Sequence, residues 1–383
     1  MIPFNKPYIP WSSFRYLIAG ARSGTIAGNG NYTKRCHSFF EERFGFGKVL
    51  LTSSCTDALE MSALLCNIGP GDEVIMPSYT FMSTANAFLL RGAKVLFADT
   101  LPGIPNVDPA AVEQLITPRT RAIVVVHYGG VACDMDRIMA LADKHGIRVV
   151  EDAAHAIDSF YRGRPLGSIG HFGTFSFHET KNIISGEGGL LIINDPDARK
   201  RAEILWEKGT NRAAFYRGEI DKYGWVDIGS SYLPSDAVAA FLYNQLRRFD
   251  HIQSARKRIW HLYDEQLRPM EKQSNFLCPV IPDEATVNGN MYFLILPSGE
   301  IRDDLMAFLK RKGITALFHY LPLHASPYYT DKHDGRLLPN TNRFSSCILR
   351  LPFFNSLKKS QVEYIVQSIR EYFISAIPGG GPG

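Results

Sequence analysis

Little in this sequence points to a membrane, to nucleic acid or to an oxidising compartment. No uncharged stretch approaches the length of a bilayer span. The opening residues, MIPFNKPYIPWSSFRYLIAG, are interrupted by Asn5, Lys6 and prolines, which is not the pattern of a signal peptide. The six cysteines, Cys36, Cys55, Cys66, Cys133, Cys278 and Cys347, are scattered and form no CxxC pair. That argues against a structural zinc site, and a chain this long needs no disulfide staples. A net charge of +4 over 383 residues, with no basic run interleaved with aromatics, leaves nucleic acid without a recognition surface. No repeat of solenoid length is present. These absences leave a globular protein with reduced thiols, expected in the cytoplasm, with neither membrane nor nucleic acid as partner.

What is present is an alternation. From about residue 48, short apolar runs alternate with amphipathic stretches. KVLLTS, DEVIMPS, AKVLFAD, RAIVVVHY and IRVVED read as strands. TDALEMSALLCNIG, STANAFLLRG and DMDRIMALADKHG read as helices, each ending at a glycine. Strands alternating with helices imply a mainly parallel sheet, and unbroken apolar runs imply strands covered on both faces. After Asn194 the texture changes. DPDARKRAEILWEKG reads as a charged helix, and residues 235–268 as a long helical region. Beyond about 275, MYFLILP and TALFHY read as strands, and IRDDLMAFLKRKG and KSQVEYIVQSIREYF as helices. The expected fold is α/β: a large, mainly parallel α/β domain over 1–250, with the N-terminal segment, and a smaller α+β domain over 251–374. The glycine- and proline-rich end, 375–383, is expected to be a loose tail.

Ligands of parallel sheets bind beyond the carboxyl ends of the strands, and four clusters fall there. TSSCTDAL places Ser54 and Thr56 at a helix start, where free backbone N–H groups and hydroxyls can cradle a phosphate; plain N-capping is the alternative. PSYTFMSTANA offers Tyr79 or Phe81 to stack on a flat ring, or simply to pack in the core. In VVEDAAHA, Asp152 ends a buried strand, which is costly without a cation or strong donor; it can also be a helix cap or a metal ligand. No second ligand cluster of suitable spacing supports a metal. His155 follows three residues on, as a site residue or a core histidine. Last, FSFHETKNIISGEGG holds Lys181, the only lysine between Lys144 and Lys200. A lysine drawn into a site loses basicity and becomes a nucleophile and base. Lysine, carboxylate, phosphate cradle and aromatic together suit one cofactor, pyridoxal 5'-phosphate (PLP).

Over residues 2 to about 373 the chain resembles the sugar-nucleotide aminotransferases of the DegT type, which have the type I aminotransferase fold. The motifs are TSSCTDAL, GDEVIMPSYTFMSTANA, VVEDAAHA and GTFSFHETKNIISGEGG. SYTFMSTANAFLLRGAKV, VHYGGVACDMD, FSFHETKN, EKGTNR and DIGSSYLPSD are most like the branch that makes dTDP-4-amino-4,6-dideoxygalactose. The resemblance implies that Lys181 carries the cofactor aldehyde and that Asp152 pairs with the pyridine nitrogen. It also implies that Phe81 stacks on the ring, and that backbone at Cys55–Thr56, with the Thr56 and Ser176 hydroxyls, holds the phosphate. It implies a homodimer with sites at the subunit interface, and a nucleotide sugar and L-glutamate as substrates. Three positions depart from the usual pattern. His155 stands where many relatives have glutamine at the ring hydroxyl; an unperturbed imidazole near ~6.5 puts its charge change within working pH. Ser231, in GSSY, stands where many have an asparagine that reaches the neighbouring subunit's phosphate. Asn290 stands where the nearest branch has histidine, and no role is assigned to it. For the substrate diphosphate the candidates are Lys208, Asn211 and Arg212 in KGTNR, with a solvated loop as the alternative reading. His319, Tyr320 and His324 in HYLPLH are candidates to close the site from the small domain; the histidine spacing does not suit zinc on a helix. Two other functions stay open: a PLP transaminase acting on another ketosugar nucleotide, and a PLP-binding regulator without turnover.

Overall fold

The computed structural model describes residues 1–376. The tail expected at 375–383 overlaps it only at Ser375 and Ala376, which end the last helix, Lys359–Ala376; 377–383 lie outside the described residues.

Seven strands form the main sheet: β1 (Val49–Thr52), β2 (Glu73–Pro77), β3 (Lys94–Ala98), β4 (Thr120–Val126), β5 (Arg148–Asp152), β8 (Phe172–Ser176) and β9 (Gly189–Ile193). A short ribbon, β6 (Phe160–Tyr161) with β7 (Arg164–Pro165), interrupts the series. The spatial order is β1-β9-β8-β5-β4-β2-β3. All pairs from β8 to β3 are parallel, while β9 runs antiparallel to both β1 and β8. The carboxyl ends of β1, β5 and β8 and the start of β9 therefore share one edge. The apolar runs in the sequence follow from this architecture. Ile123 and Val125 of β4 join one buried cluster, and Ala122 and Val124 join the cluster on the other face.

Two helices unmarked by sequence, Ser12–Ala21 and Asn31–Phe44, pack on helix Asp236–Leu246. The long helical region read over 235–268 is two helices, broken at Arg247–Arg248 before Phe249–Leu267 begins. This second helix enters a separate hydrophobic cluster around Ile259, Tyr263, Leu294, Leu309 and Ile365. That cluster surrounds the antiparallel pair β10 (Phe293–Ile295) and β11 (Ile348–Arg350). TALFHY, read as a strand, makes only a bridge between Leu317 and Arg350, because β11 is three residues long and offers no further ladder. Ile2 crosses to this second cluster, and its backbone pairs beside Ile314. Among the described residues no helix is long and apolar enough to cross a membrane.

Candidate active site

The helix after β1, Cys55–Leu65, starts at the shared edge. Ser54 is its cap: extended backbone, with Oγ accepting from the Asp57 N–H at 3.1 Å. The capping reading of Ser54 thus holds, and its lone pair serves the protein itself. Thr56 Oγ1 donates to Ser83 Oγ at 2.8 Å, tying the helix to the next β–α turn. Thr52, Gly189 and Ser176 lie in register across three strands, which sets Ser176 on the same side of the helix start. A Cβ on Gly189 would stand 2.4 Å from the Ser54 carbonyl oxygen and 2.6 Å from the Cys55 nitrogen. Glycine is required there because the β9 backbone runs against the helix N-terminus. Free N–H groups, a positive dipole end and small hydroxyls remain to face an anion.

Asp152 closes β5 and is 6% exposed. Thr84 Oγ1 donates to Oδ2 at 2.7 Å and the Ala154 N–H to Oδ1 at 3.2 Å. Thr80 in turn donates to Thr84 at 2.8 Å. No cation among the described residues comes close enough to Asp152 to form an ion pair with it. Burial pushes its carboxyl group up, against the pull of Thr84, Ala154 and Lys181. This carboxylate lacks a partner with positive charge.

Lys181 sits in the turn between β8 and β9, which His178 and Gly186 close by a bridge. Gly186 takes φ 87°, a left-handed conformation that side chains resist. Burial lowers the Lys181 ammonium to about 8, although Cys55 and Asp152 favour its charge. The turn holds Lys181 within electrostatic reach of Asp152 and of Cys55 at the helix start. Its neighbour Asn182 anchors the turn. Asn182 Nδ2 donates to Gln253 Oε1 and to the Asn288 carbonyl, both at 3.0 Å, and Asn290 Nδ2 donates to Asn182 Oδ1 at 2.9 Å. Asn290, left without a role by the sequence, buttresses the lysine turn.

His155 is 7% exposed, and its Nδ1 accepts the Gly129 N–H at 3.3 Å, so Nε2 carries the proton. Burial, then the charges of Lys181 and Arg350, hold its pKa well below the usual histidine value. This overturns the expectation of a charge change within working pH: His155 is a neutral donor. Tyr128 Oη and His319 Nδ1 share a hydrogen bond of 3.1 Å, and the His319 ring lies 6.0 Å from His155. Tyr320 approaches Phe81 at 6.2 Å between ring centroids. Of the two stacking candidates, Tyr79 is fully buried and Phe81 is 50% exposed, so Phe81 alone presents a face.

The structure gathers Cys55, Asp152, Lys181, His155 and His319 into one electrostatic neighbourhood. The remaining candidates lie elsewhere. His324 is buried against Ser78, whose Oγ accepts the His324 backbone N–H at 3.0 Å and shares a hydrogen bond of 2.8 Å with Nδ1. Lys208 and Ser231 lie side by side in an excursion closed by the Glu207–Ser231 bridge and the Lys208 N–H to Ser230. Asn211 Oδ1 accepts the Gly224 N–H, and Arg212 folds onto the Tyr216 hydroxyl. Among the described residues no hydrogen bond links this excursion to Lys181 or Asp152. It does touch the cradle: the Ser53 N–H and hydroxyl both donate to the Tyr232 carbonyl. Sequence reasoning missed Thr84, Tyr128 and Arg350. Thr84 stood inside a quoted motif, but nothing marked it apart from the other hydroxyl residues there.

The arrangement fits PLP. The helix start suits the phosphate, and the uncompensated Asp152 carboxylate suits a protonated pyridine nitrogen. Lys181, with weakened basicity, suits an aldehyde.

Comparison with known proteins agrees. The profile of the DegT/DnrJ/EryC1/StrS aminotransferase family matches residues 12–370. The spore coat polysaccharide biosynthesis protein SpsC of Bacillus subtilis (strain 168) is 32% identical, over 97% of this chain and 96% of its own. The crystal structure of the aminotransferase TlmJ from Streptoalloteichus hindustanus is 31% identical with a TM-score of 0.89, covering 98% of this chain and 99% of that one. Spr1654 from Streptococcus pneumoniae, in its PMP form, is 26% identical with a TM-score of 0.91, covering 98% and 100%; it is also known in a PLP form. A match that takes in every strand of the main sheet and of the β10–β11 pair leaves one conclusion: this chain belongs to the DegT/DnrJ/EryC1/StrS aminotransferase family and depends on PLP.

Proposed function

We propose that the chain moves the amino group of L-glutamate to a nucleotide-linked 4-keto-6-deoxy sugar, giving dTDP-4-amino-4,6-dideoxygalactose and 2-oxoglutarate. The observation that carries a transaminase is Asp152, buried without a cation, facing a Lys181 whose pKa is lowered to about 8. The sugar assignment is supported by the branch-like stretches around Tyr79, Tyr128 and Lys208, and by kinship to a polysaccharide biosynthesis protein.

When bound, PLP supplies an electron sink for the carbanion formed at the donor's α-carbon. The protein's part is to position groups and move protons. Lys181 is the base that would take the proton from the donor's α-carbon and deliver it to the carbon that was the cofactor's aldehyde, because a pKa near 8 leaves a usable neutral fraction at working pH. Asp152, oriented by Thr84, holds positive charge at the ring nitrogen. His155 donates from Nε2 to the ring hydroxyl. The start of helix Cys55–Leu65, with Thr56 and Ser176, takes the phosphate, and Phe81 covers the ring. Lys208, Asn211 and Arg212 serve the substrate diphosphate, and His319 and Tyr320 close the site. The working unit is a homodimer with Ser231 near the neighbouring site. Exposed Trp11, Trp225, Val226 and Ile228 supply apolar surface for such an interface.

The test is product analysis by NMR with dTDP-4-keto-6-deoxyglucose and L-glutamate. An amine at carbon 4 with galacto stereochemistry is expected; an amine at carbon 3, or gluco stereochemistry, rules out this product. A holoenzyme whose cofactor absorbance does not respond to glutamate would be a binder rather than an enzyme.

A further inference from the structure

His155 and Lys181 stand on two arms that leave the sheet, one after β5 and one after β8. These strands are paired as far as Asp152 and Thr174, and the Ala153 N–H donating to the Thr174 carbonyl at 3.0 Å is their last direct link. Past it, no hydrogen bond among the described residues joins 154–158 directly to 177–186. Asn288 joins them instead, and it is fully buried. Its Nδ2 donates to the His155 carbonyl at 2.7 Å and to the Ile157 carbonyl at 2.8 Å, which uses both amide hydrogens. Its Oδ1 accepts the Asn290 N–H at 3.0 Å. Its own carbonyl accepts from Asn182 Nδ2, next to Lys181, at 3.0 Å. A third segment meets the same side chain: a Cβ on Gly130 would stand 2.3 Å from Asn288 Oδ1, and Gly130 follows the residue whose N–H fixes the His155 tautomer. Arg256 holds the segment from behind. It donates from Nε to the Gly289 carbonyl and from Nη2 to the Asn290 carbonyl, both at 2.8 Å.

The cofactor explains why the spacing of the two arms matters. On the pyridine ring of PLP the hydroxyl and the aldehyde sit on adjacent carbons. His155 and Lys181 must therefore meet neighbouring substituents at once, and a shift of about 0.5 Å in either arm misaligns one of them. We propose that Asn288 is a positioning residue that sets the His155 and Lys181 arms at the separation the cofactor requires, acting through both. This rests on the roles given to His155 and Lys181 above. Asn194 supplies a matched comparison. Its Nδ2 also spans two carbonyls, those of Gly167 and Gly170 at 2.9 and 2.8 Å, but neither belongs to the site.

The experiment compares wild type with Asn288→Ala, Asn194→Ala, His155→Leu and the Asn288→Ala/His155→Leu double variant, all freed of cofactor and checked by thermal melting. Calorimetry with pyridoxamine 5'-phosphate, which has no aldehyde, reads the His155 arm. The rate of PLP capture, followed by absorbance, reads the Lys181 arm. Asn288→Ala should weaken pyridoxamine phosphate binding roughly 10-fold, the scale of one or two lost hydrogen bonds, and slow capture by a similar factor. In the His155→Leu background the affinity loss should shrink to within about twofold, because the residue it acts through is gone. Asn194→Ala should melt lower and change neither readout. The proposal is overturned if Asn288→Ala matches wild type in both readouts, or if its affinity loss is undiminished beside His155→Leu. It is equally overturned if Asn194→Ala lowers both readouts as much. Should Asn288→Ala not fold, hydrogen exchange in the wild-type cofactor-free protein still decides. Segments 154–158 and 178–186 should open together with 288–290, and independent opening overturns the proposal. His155→Leu binding pyridoxamine phosphate as well as wild type would instead remove the ring-hydroxyl reading on which the proposal depends.

Discussion

Glu151 and Asp152 are consecutive acids at the end of one strand, and the alternation of a strand sends them to opposite faces. Glu151 is fully buried and fully answered. It accepts the N–H groups of Gly167, Ile169 and Gly170 at 2.7, 2.6 and 2.6 Å, and His127 Nε2 lies 3.0 Å away. His127 Nδ1 in turn accepts the Cys133 N–H at 3.2 Å. Asp152 is nearly as buried but has one hydroxyl and one N–H, and no cation. One carboxylate is satisfied within the protein and organises the loop behind the sheet. The other is left short of positive charge and faces Lys181. The difference separates a structural acid from a chemical one without reference to any relative.

The largest effect on the chemical side is expected from Lys181→Ala. Turnover should vanish, and borohydride should no longer fix the cofactor to the protein; a retained linkage at another lysine would undo the assignment. On the structural side, Glu151→Ala leaves three N–H groups and His127 without their acceptor. A loss of about 3–5 kcal/mol is expected, the usual cost of breaking a buried pair, measured by denaturant unfolding of the cofactor-free protein.

Asp152→Asn should behave in the opposite way. Turnover should fall by at least about 10- to 100-fold, since a charge-assisted hydrogen bond is worth roughly 1.5–3 kcal/mol. The cofactor-free variant should be as stable as wild type or more so. The folded Asp152 titrates above its unfolded value of 3.8, so the unfolded chain loses its proton first. Its contribution therefore declines as pH rises from 3.8 through the folded pKa, and the Asn variant's relative stability should grow over that window. If Asp152→Asn cost as much stability as Glu151→Ala, the contrast would collapse.

A subtler effect concerns Lys181 alone. Only its neutral amine can capture the cofactor. In cofactor-free protein the capture rate should rise with pH and level off above about 8, where an ordinary lysine would keep rising toward 10.5. The smallest effect is expected at His155, which is neutral on both sides of pH 6.5. His155→Gln should keep activity and leave the pH profile of cofactor absorbance unchanged. His155→Leu, which lacks a donor, should bind cofactor more weakly. A His155→Gln profile shifted near pH 6.5 would show that the histidine does titrate.

The sequence made much of the chemical side legible because it is written locally. Asp152 closes an apolar run, Lys181 stands alone before a glycine turn, and Ser54 begins a helix. The strands of the main sheet were legible for the same reason, since covering both faces demands unbroken apolar runs. What was not legible depends on distant partners. Thr84 meets Asp152 across two crossovers, Gln253 and Asn288 reach Asn182 from other parts of the chain, and Arg350 enters from the last strand. Glu151 reads as one acid among many until its three backbone donors are seen. TALFHY had a strand's composition, but composition does not say whether a neighbouring edge is long enough to pair with it.

The crossing of the N-terminal segment has a consequence for how the molecule is made. Ile2 belongs to the last hydrophobic cluster, Phe4 lies under Arg350, and Asn5 Nδ2 donates to the Glu179 carbonyl beside Lys181 at 3.2 Å. Residues that leave the ribosome early therefore wait for partners that leave it late. The α/β sheet can assemble during synthesis, but this corner stays unfinished until the last strand has emerged. Such long-range closure is slow. A ribosome-stalled chain ending before Ile348 should fold its sheet and still be unable to complete its site.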